Sequence, residues 1–432
     1  MGGIVAAEIR VVAILLVVSL VAVVARRRRF PYTVALVLAG LGFSAQAQLG
    51  VSLVETVTVS PEVILALFLP PLLFEAALHL RLVDLRRDLA LILGLAVPGL
   101  FASAVLVAGI LHGTGMLAWA PALVFGAMIS ATDPVAVVAT FRALGAPRRL
   151  TTLVESESLF NDGAAIVAFG LMVAFVDAGR FSPLEAGASL ARVSFGGVGV
   201  GLALGFVASQ AIGRIDDHLV ETTLTTILCY GSYLVAESLH VSGVLAVVMA
   251  GLVQGERGTG GMSPTTRIVL FSFWEYVAFL ANSVLFLLIG LSVQLDALGR
   301  YITPVLVGVV AVVVARSVVV YGIGLLLAAL RRGVPVKYLH LMVWGGLRGA
   351  VGLALALSLP ATLAERPQLL AMTFGVVLFT LLGQATTVSG VMKALGLTAH
   401  DPARTAYDRL HAQLLATRSV RRYLRRQRAE GA

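Results

Sequence analysis

The stretch WAPALVFGAMISATDPVAVVATF, residues 119–141, is long and apolar enough to cross a lipid bilayer. An acid and a proline, Asp133 and Pro134, lie near its middle. Proline has no backbone N–H and its ring clashes with the preceding turn, so the helix should kink or open there. Within a bilayer, opened backbone is tolerated only where protein or a hydrated cavity surrounds it. We therefore predict a helix that is interrupted near the membrane centre and packed inside a bundle.

The composition of the whole chain indicates a membrane protein. Of its 432 residues, 59% are hydrophobic and 13% are charged, and the mean hydropathy is +0.96. Soluble domains carry about twice that charged fraction, so a water-soluble fold is excluded. We predict an all-α, polytopic membrane protein with about thirteen transmembrane helices, at residues 4–25, 32–48, 61–80, 88–112, 119–141, 150–176, 187–213, 219–239, 242–254, 267–296, 302–330, 336–359 and 367–395.

A second interrupted helix is predicted at residues 344–352, WGGLRGAVG, where four glycines weaken the helix and permit a close crossing. This second interruption lies in the twelfth predicted span, seven spans after the span that carries the first interruption. Interrupted helices at corresponding places in two halves are typical of transporters built from inverted repeats. We predict a transmembrane domain over residues 1–395, whose two inverted six-helix repeats, at about 1–176 and 219–395, carry the crossed interrupted helices. A linker helix at about 187–213 joins them, and residues 396–432 form a short basic tail.

Basic residues predict the orientation, because lysine and arginine are held on the cytoplasmic side during insertion. One set of alternate loops, together with the tail from Lys393 onward, holds 25 of them, and the opposite loops hold 3. The N-terminus should therefore lie outside and the C-terminus in the cytoplasm. The same distribution accounts for the net charge of +9. The sequence contains no basic patch interleaved with aromatic residues, which is a pattern of nucleic-acid-binding proteins, so we expect no nucleic-acid partner.

Charged residues inside otherwise apolar segments mark the candidate site. Glu75, Asp133, Asp162 and Arg348 each lie about 12 to 14 residues into a predicted span, which is near 20 Å along a helix. Charges at this depth are costly unless other groups compensate them, and they are functional candidates by default. Their four helices should therefore be neighbours around a polar centre.

The sixth span carries ESESLFNDG, residues 155–163. Helical periodicity places Ser158 and Asp162 on one face, and Glu157 and Asn161 on a neighbouring face. A carboxylate with nearby hydroxyl and carbonyl oxygens suits a hard monovalent cation. The lack of paired histidine or cysteine argues against zinc, copper or iron. The sequence predicts an intramembrane site for a transported cation, with no resident cofactor.

Five motifs resemble the NhaP-type monovalent cation:proton antiporters, the prokaryotic relatives of animal sodium/proton exchangers. They are LPPLLFE (69–75), ATDP (131–134), ESLFNDG (157–163), NSVLFLLIGL (282–291) and GLRGAV (346–351). The resemblance runs from Pro31 to the twelfth span. It implies a secondary transporter rather than an enzyme, in the plasma membrane of a prokaryote. The implied partners are the lipid bilayer and a second copy of the chain in a homodimer.

The resemblance also implies site residues. Asp162 matches the acid that binds either a cation or a proton, and Asn161 before it is typical of the electroneutral branch. Thr132 and Ser158 match cation ligands, so Na⁺ is expected at Asp162, Ser158 and Thr132. Glu75 matches an acid near the site that binds through water. We expect these residues to form the cation/proton site, together with Asp133.

The other matched positions are expected to support the site. Glu157 matches the partner of Arg348 in a buried ion pair, with Asn161 close by. Asp133 looks like the family's acid at the helix crossing, where it offsets helix-end dipoles. For Arg316, which the family also carries, we expect a partner such as Glu275.

These residues predict a mechanism. Removing a carboxylate from water favours its protonated form, so a proton and a cation compete for one site. Because the site has a single aspartate next to a neutral asparagine, one Na⁺ or Li⁺ should exchange for one H⁺, and the exchange should be electroneutral. Transport should proceed by alternating access. The alternative is a K⁺/H⁺ antiporter of the same fold. An enzyme acting on lipid-linked phosphates needs acids at the membrane surface and is disfavoured. A passive channel is a further alternative, which obligatory counter-transport would exclude.

Overall fold

The computed structural model describes residues 2–28, 30–48, 60–178, 183–398, 410–411 and 413–421. Most of the predicted basic tail lies outside these residues. Helices and their connections account for the whole described part, in which no strand occurs. This confirms the predicted all-α class.

The first half of the chain contains seven helices in its described residues. They are α1 (Gly2–Arg28), α2 (Tyr32–Gln48), α3 (Pro61–His79), α4 (Leu82–Gly113), α5 (Trp119–Ile129), α6 (Val135–Leu144) and α7 (Arg148–Ala178). Both α3 and α4 contain a π-helical turn, at Ile64–Phe68 and at Leu95–Gly99. The turn in α4 includes Pro98, which cannot donate to the helical ladder.

In the second half, residues 410–411 and 413–421 are helical, and a π-helical turn (Gln254–Gly258) and a three-residue helix (Thr259–Gly261) follow residue 253. Nine other helices occur in its described residues. They are α8 (Pro183–Ile212), α9 (His218–Ser238), α10 (Gly243–Val253), α11 (Pro264–Leu291), α12 (Leu295–Arg300), α13 (Ile302–Ala329), α14 (Val336–Trp344), α15 (Ala350–Leu357) and α16 (Arg366–Ala394). Polar side chains fix several helix starts, because they accept hydrogen bonds from the free N–H groups of the first turn. Asp217 caps α9 and Ser263 caps α11 in this way.

Eight of the helices in the described ranges are long and apolar enough to cross a membrane, namely α3, α4, α7, α8, α9, α11, α13 and α16. The predicted multi-pass architecture is confirmed. The number of crossings and the inverted repeats remain predictions. Helix α4 begins six residues before the predicted boundary at residue 88, because its first two turns are charged and extend beyond the apolar stretch.

Both predicted interruptions occur. Helix α5 ends at Ile129 and α6 begins at Val135, with residues 130–134 between them; α14 ends at Trp344 and α15 begins at Ala350. The two breaks contact one another, because the backbone N–H of Asp133 donates to the carbonyl of Leu347 at 2.8 Å. A Cβ atom at Gly349 would collide with the Asp133 side chain. Glycine at this position therefore permits the close approach.

Two groups of helices pack side by side. The broken-helix bundle consists of α4–α7 and α13–α16, and the unbroken-helix bundle consists of α1–α3 and α9–α11. In the second bundle, α2 and α11 cross at Gly40 and Gly290, where a Cβ on either residue would meet the backbone of the opposite helix. Helix α8 packs mainly on α10. The candidate site lies in the broken-helix bundle, on the side that faces α2, α3 and α11.

Candidate cation-binding site

Helix α7 and the first break bring most of the predicted site residues together. Glu157, Ser158, Asn161 and Asp162 of α7 are all buried, and so is Thr132 of the break. The burial follows from packing, because the middle of α7 lies among α4, α5, α6, α10 and α15. Four polar side chains on one buried helix segment must therefore find partners within the protein.

Hydrogen bonds connect α7 to the first break. The Thr132 hydroxyl donates to Ser158 Oγ at 3.1 Å. Asn161 Nδ2 donates to Thr132 Oγ1 at 3.1 Å and to the Ser130 carbonyl at 3.0 Å. These bonds hold the opened backbone against α7, and they concentrate oxygen atoms at one point.

Asp162 lies beside this network and is 8% exposed. Its Oδ1 atom is buried and has no hydrogen-bond partner within the part of the chain that the structure describes. The main chain of Thr132 borders the same carboxylate. A buried carboxylate oxygen without a partner costs free energy unless a proton or a cation satisfies it. Asp162 is therefore the acid in this cluster that is available for a ligand.

A cavity of about 370 Å³ leads to Asp162 from one end of the molecule. It runs between the two bundles, because α2, α3 and α11 line one wall, and the first break, α7 and the start of α15 line the other. Thr132, Asp133 and Asp162 lie at its inner end. Ser158 does not line it, since this residue lies behind Thr132. The cavity gives a path from the protein surface to the candidate site.

Two close pairs of charged or titratable residues line the outer part of this cavity. His79 Nδ1 lies 2.9 Å from the Glu75 carbonyl and 3.2 Å from Glu75 Oε1. Arg142 Nη2 donates to Glu155 Oε1 at 2.7 Å. Glu155 is seven residues before Asp162 on α7, or about 10 Å along the helix. Glu75 thus lines the path to Asp162, with its side chain 21% exposed and next to His79.

The buried ion pair differs from the predicted one. Arg316 of α13 donates to both carboxylate oxygens of Glu157, at 2.8 and 3.0 Å, and also to the Met342 carbonyl at 3.2 Å. The expected pairs Glu157–Arg348 and Arg316–Glu275 are therefore wrong. Glu275 instead lines the cavity between the bundles. Helix α13 packs beside α14, and this position brings Arg316 to Glu157.

Arg348 binds the end of the first broken helix. Its Nη1 donates to the carbonyls of Ser130 and Ala131, at 2.8 and 3.1 Å. The last carbonyls of a helix lack partners in the helix and carry a partial negative charge, so a guanidinium is favourable there. The backbone N–H of Arg348 donates to Thr380 Oγ1 of α16 at 3.1 Å. Thr380 was not predictable from the sequence, because it lies 32 residues away on another helix.

Asp133 stabilises the start of the second half-helix. Its Oδ1 accepts from the backbone N–H of Val135 at 2.9 Å, in the first turn of α6. A negative charge is favourable at this end of a helix. The expected role of Asp133 in offsetting helix-end dipoles at the crossing stays a prediction.

The described residues hold no group of three or more histidine, cysteine, aspartate or glutamate side chains that could bind a metal ion. The site instead offers one carboxylate, two hydroxyls and nearby backbone carbonyls. This donor set suits a hard cation with oxygen ligands, bound reversibly as cargo.

Comparison with known proteins identifies the family. The family described as "Sodium/hydrogen exchanger, transmembrane" matches residues 12–394. The chain belongs to this family. The exchanger is therefore a multi-pass membrane transporter and not an enzyme.

Several antiporters are similar to this exchanger over most of its length. It is 40% identical to the Na(+)/H(+) antiporter ApNhaP of Aphanothece halophytica, with 92% of this chain and 76% of that protein covered. It is 37% identical to the Na(+)/H(+) antiporter NhaH of Halobacillus aidingensis, with 90% and 98% covered.

A solved structure confirms the fold of the exchanger. The sodium proton antiporter MjNhaP1 of Methanocaldococcus jannaschii, solved at pH 8, superposes with a TM-score of 0.75 at 21% identity. The superposition covers 92% of this chain and 100% of that one.

Proposed function

We propose that the protein exchanges Na⁺ or Li⁺ for H⁺, one for one, at Asp162. The observation that carries the proposal is the unpartnered Asp162 Oδ1 at the inner end of the cavity, within the part of the chain that is described. An ionised carboxylate in this position is unfavourable without a positive partner. A proton or a cation can be that partner, but the two cannot occupy Asp162 at the same time. This mutual exclusion couples the proton flux to the cation flux.

The charges of the neighbouring groups support a single exchangeable acid. Glu157 is neutralised by Arg316 through two hydrogen bonds. Arg348 binds the carbonyls of Ser130 and Ala131, and Asp133 Oδ1 accepts from the backbone N–H of Val135. Of the three acids Asp133, Glu157 and Asp162, only Asp162 has a buried carboxylate oxygen without a hydrogen-bond partner in the described residues. Asn161 is neutral and donates hydrogen bonds, so one charge enters for each charge that leaves.

We propose Thr132 and Ser158 as the other ligands of the cation. Thr132 lines the cavity next to Asp162, and Ser158 supplies a second hydroxyl behind it. Glu75 lies farther out along the path, where it would contact a hydrated ion through water. Glu157, Asn161, Asp133 and Arg348 hold the backbone in place and do not bind the cation.

Alternating access would proceed by motion of the broken-helix bundle against the unbroken-helix bundle. The cavity lies between these bundles and reaches Asp162 from one end. Beyond the site, buried Ile64, Leu285 and Ala354 pack together between α3, α11 and α15. In this mechanism the apolar contact would separate the site from the opposite membrane face, so opening it while closing the cavity would expose Asp162 to the other side.

We also propose that the protein is a homodimer in the plasma membrane of a prokaryote, with its N-terminus outside and its C-terminus in the cytoplasm. The distribution of basic residues supports this orientation. Arg142 lies at the outer part of the cavity and belongs to the basic set of loops. The cavity would therefore open to the cytoplasm.

Purified protein in liposomes tests the proposed function. A sodium gradient should drive proton movement, reported by a pH-sensitive dye inside the vesicles, while potassium and valinomycin clamp the membrane potential at zero. Asp162→Asn should abolish this movement, and Asp296→Asn, an isosteric change at an exposed acid on α12, should leave it intact. Normal exchange by Asp162→Asn, or flux that requires no counter-ion, would overturn the proposal. Repeating the assay with a Li⁺ gradient, and with a K⁺ gradient in the absence of valinomycin, decides between the cations.

A further inference from the structure

Two buried polar atoms beside the site lack hydrogen-bond partners among the described residues. They are Nε of Arg348, whose side chain is 2% exposed, and Oε1 of Gln384, which is 3% exposed. One is a donor and the other an acceptor. A buried polar atom without a partner costs free energy, and in native proteins such atoms are usually satisfied by ordered water.

Both residues line the same small cavity, together with Arg316 and Thr380. Its volume is sufficient for about one water molecule, and its other walls are mainly valine and phenylalanine side chains. A buried water needs at least two polar partners. The free donor of Arg348 and the free acceptor of Gln384 provide them.

The local structure of α16 brings Gln384 to this cavity. Residues Thr380–Ala385 form a π-helical turn, which is rare and often found at functional sites. Thr380 begins the turn and accepts a hydrogen bond from the backbone of Arg348. Gln384 follows one turn later. The same short segment therefore contacts the backbone of Arg348 and faces its side chain.

We propose that one buried water joins Arg348 Nε to Gln384 Oε1, and that Gln384 is a positioning residue of the cation site. The guanidinium is then held on two edges. Its Nη1 edge binds the carbonyls of Ser130 and Ala131, which directly precede Thr132, and its Nε edge is held by Gln384 through the water. Loss of Gln384 would leave the guanidinium held on its Nη1 edge alone and would loosen the backbone that presents Thr132.

The chain offers a matched control in Gln254. This glutamine is 0% exposed, also lies on a π-helical turn, and its two side-chain polar atoms have no partner in the described structure. It lines neither the cavity that reaches Asp162 nor the small cavity beside Arg348. Replacing Gln254 should remove a similar number of buried packing contacts without affecting the two breaks.

Deuterium exchange measured by mass spectrometry tests the positioning role in purified protein. The peptide that contains Asp133 reports the first break, because the Asp133 amide donates to the Leu347 carbonyl. We expect Gln384→Leu to raise the exchange rate of this peptide and the KM for Na⁺ roughly tenfold each, with the maximal rate nearly unchanged. Gln254→Leu should change neither by more than about twofold.

A second variant covers the case in which Gln384→Leu does not fold. Gln384→Ser shortens the side chain, leaves room for an additional water and keeps a hydroxyl. Its KM for Na⁺ and its deuterium exchange should therefore be close to the native values. Equal effects of Gln384→Leu and Gln254→Leu, or native KM and native exchange in Gln384→Leu, would overturn the proposal.

The inference rests on the proposed function only for its kinetic measurement. If the native protein in liposomes shows no sodium-driven proton movement, the proposed function fails. The difference in deuterium exchange between the two leucine variants still decides whether Gln384 holds the first break.

Discussion

Arg316 and Glu157 form a two-point ion pair between α13 and α7, with hydrogen bonds of 2.8 and 3.0 Å. Both residues are buried, at 8% and 1% exposure. The pair joins the helix that carries the candidate site to a helix of the second half of the chain. It also fixes Glu157 one turn before Asn161, which binds the first break.

Removal of one partner of this pair should be strongly destabilising, because the other charge stays buried without compensation. We expect Arg316→Met to lower the free energy of unfolding by about 3–5 kcal/mol. Thermal unfolding of the purified protein measures this change. The exposed pair Arg142–Glu155 is the control, since Arg142→Met should cost less than about 1 kcal/mol. Similar losses in the two variants would contradict a buried ion pair at Glu157.

A methyl group at Gly349 should disrupt the crossing of the two breaks. The added Cβ would collide with the Asp133 side chain, so we expect Gly349→Ala to lower the melting temperature and to reduce exchange at least about tenfold. Gly322→Ala on α13 is the matched control, because no atom lies within 4 Å of its added Cβ. Full activity of Gly349→Ala would show that the breaks can separate without loss.

Sodium transport should depend on pH through competition at Asp162. As pH falls, protons occupy the carboxylate, so the KM for Na⁺ should rise by up to about tenfold for each pH unit while the maximal rate stays constant. Initial rates at several sodium concentrations and pH values, equal on both sides of the vesicle, measure this relationship. A pH-independent KM with a falling maximal rate would indicate a proton site separate from the cation site.

The two proposed hydroxyl ligands should differ in their effects on the KM for Na⁺. Thr132 lines the cavity and borders Asp162, whereas Ser158 lies behind it. We expect Thr132→Ala to raise the KM for Na⁺ roughly tenfold, and Ser158→Ala to raise it less. Ser156→Ala is a control on the same helix, because Ser156 is buried but does not line the cavity. A larger effect of Ser158→Ala would reverse the proposed order of the ligands.

A second acid at position 161 should impair the protein. Asn161 Nδ2 donates to the Ser130 carbonyl and lies 3.4 Å from Glu157 Oε1. A carboxylate cannot donate these bonds and would repel Glu157, so Asn161→Asp should lower the exchange rate at least about tenfold. Asn282→Asp, at an asparagine that lines the cavity, should have a smaller effect. Voltage-driven exchange by Asn161→Asp would instead show that the site accepts a second charge.

The sequence predicted the features that depend on local chemistry. Pro134 made the first break predictable, and the glycines around Arg348 did the same for the second. The pairing of Arg316 with Glu157 was not predictable, because it depends on how two helices 159 residues apart in the chain are rotated against each other. Gln384 was missed for a similar reason, since a polar residue in an apolar helix does not reveal its neighbour.

The bond between the Asp133 amide and the Leu347 carbonyl has a consequence for attempts to divide the chain. Each half of the chain supplies one partner of that bond. A fragment ending after α7 would therefore leave the Asp133 N–H without its hydrogen-bond acceptor inside the membrane. Two separately produced fragments should thus be degraded singly and survive only when synthesised in the same cell, where each completes the other.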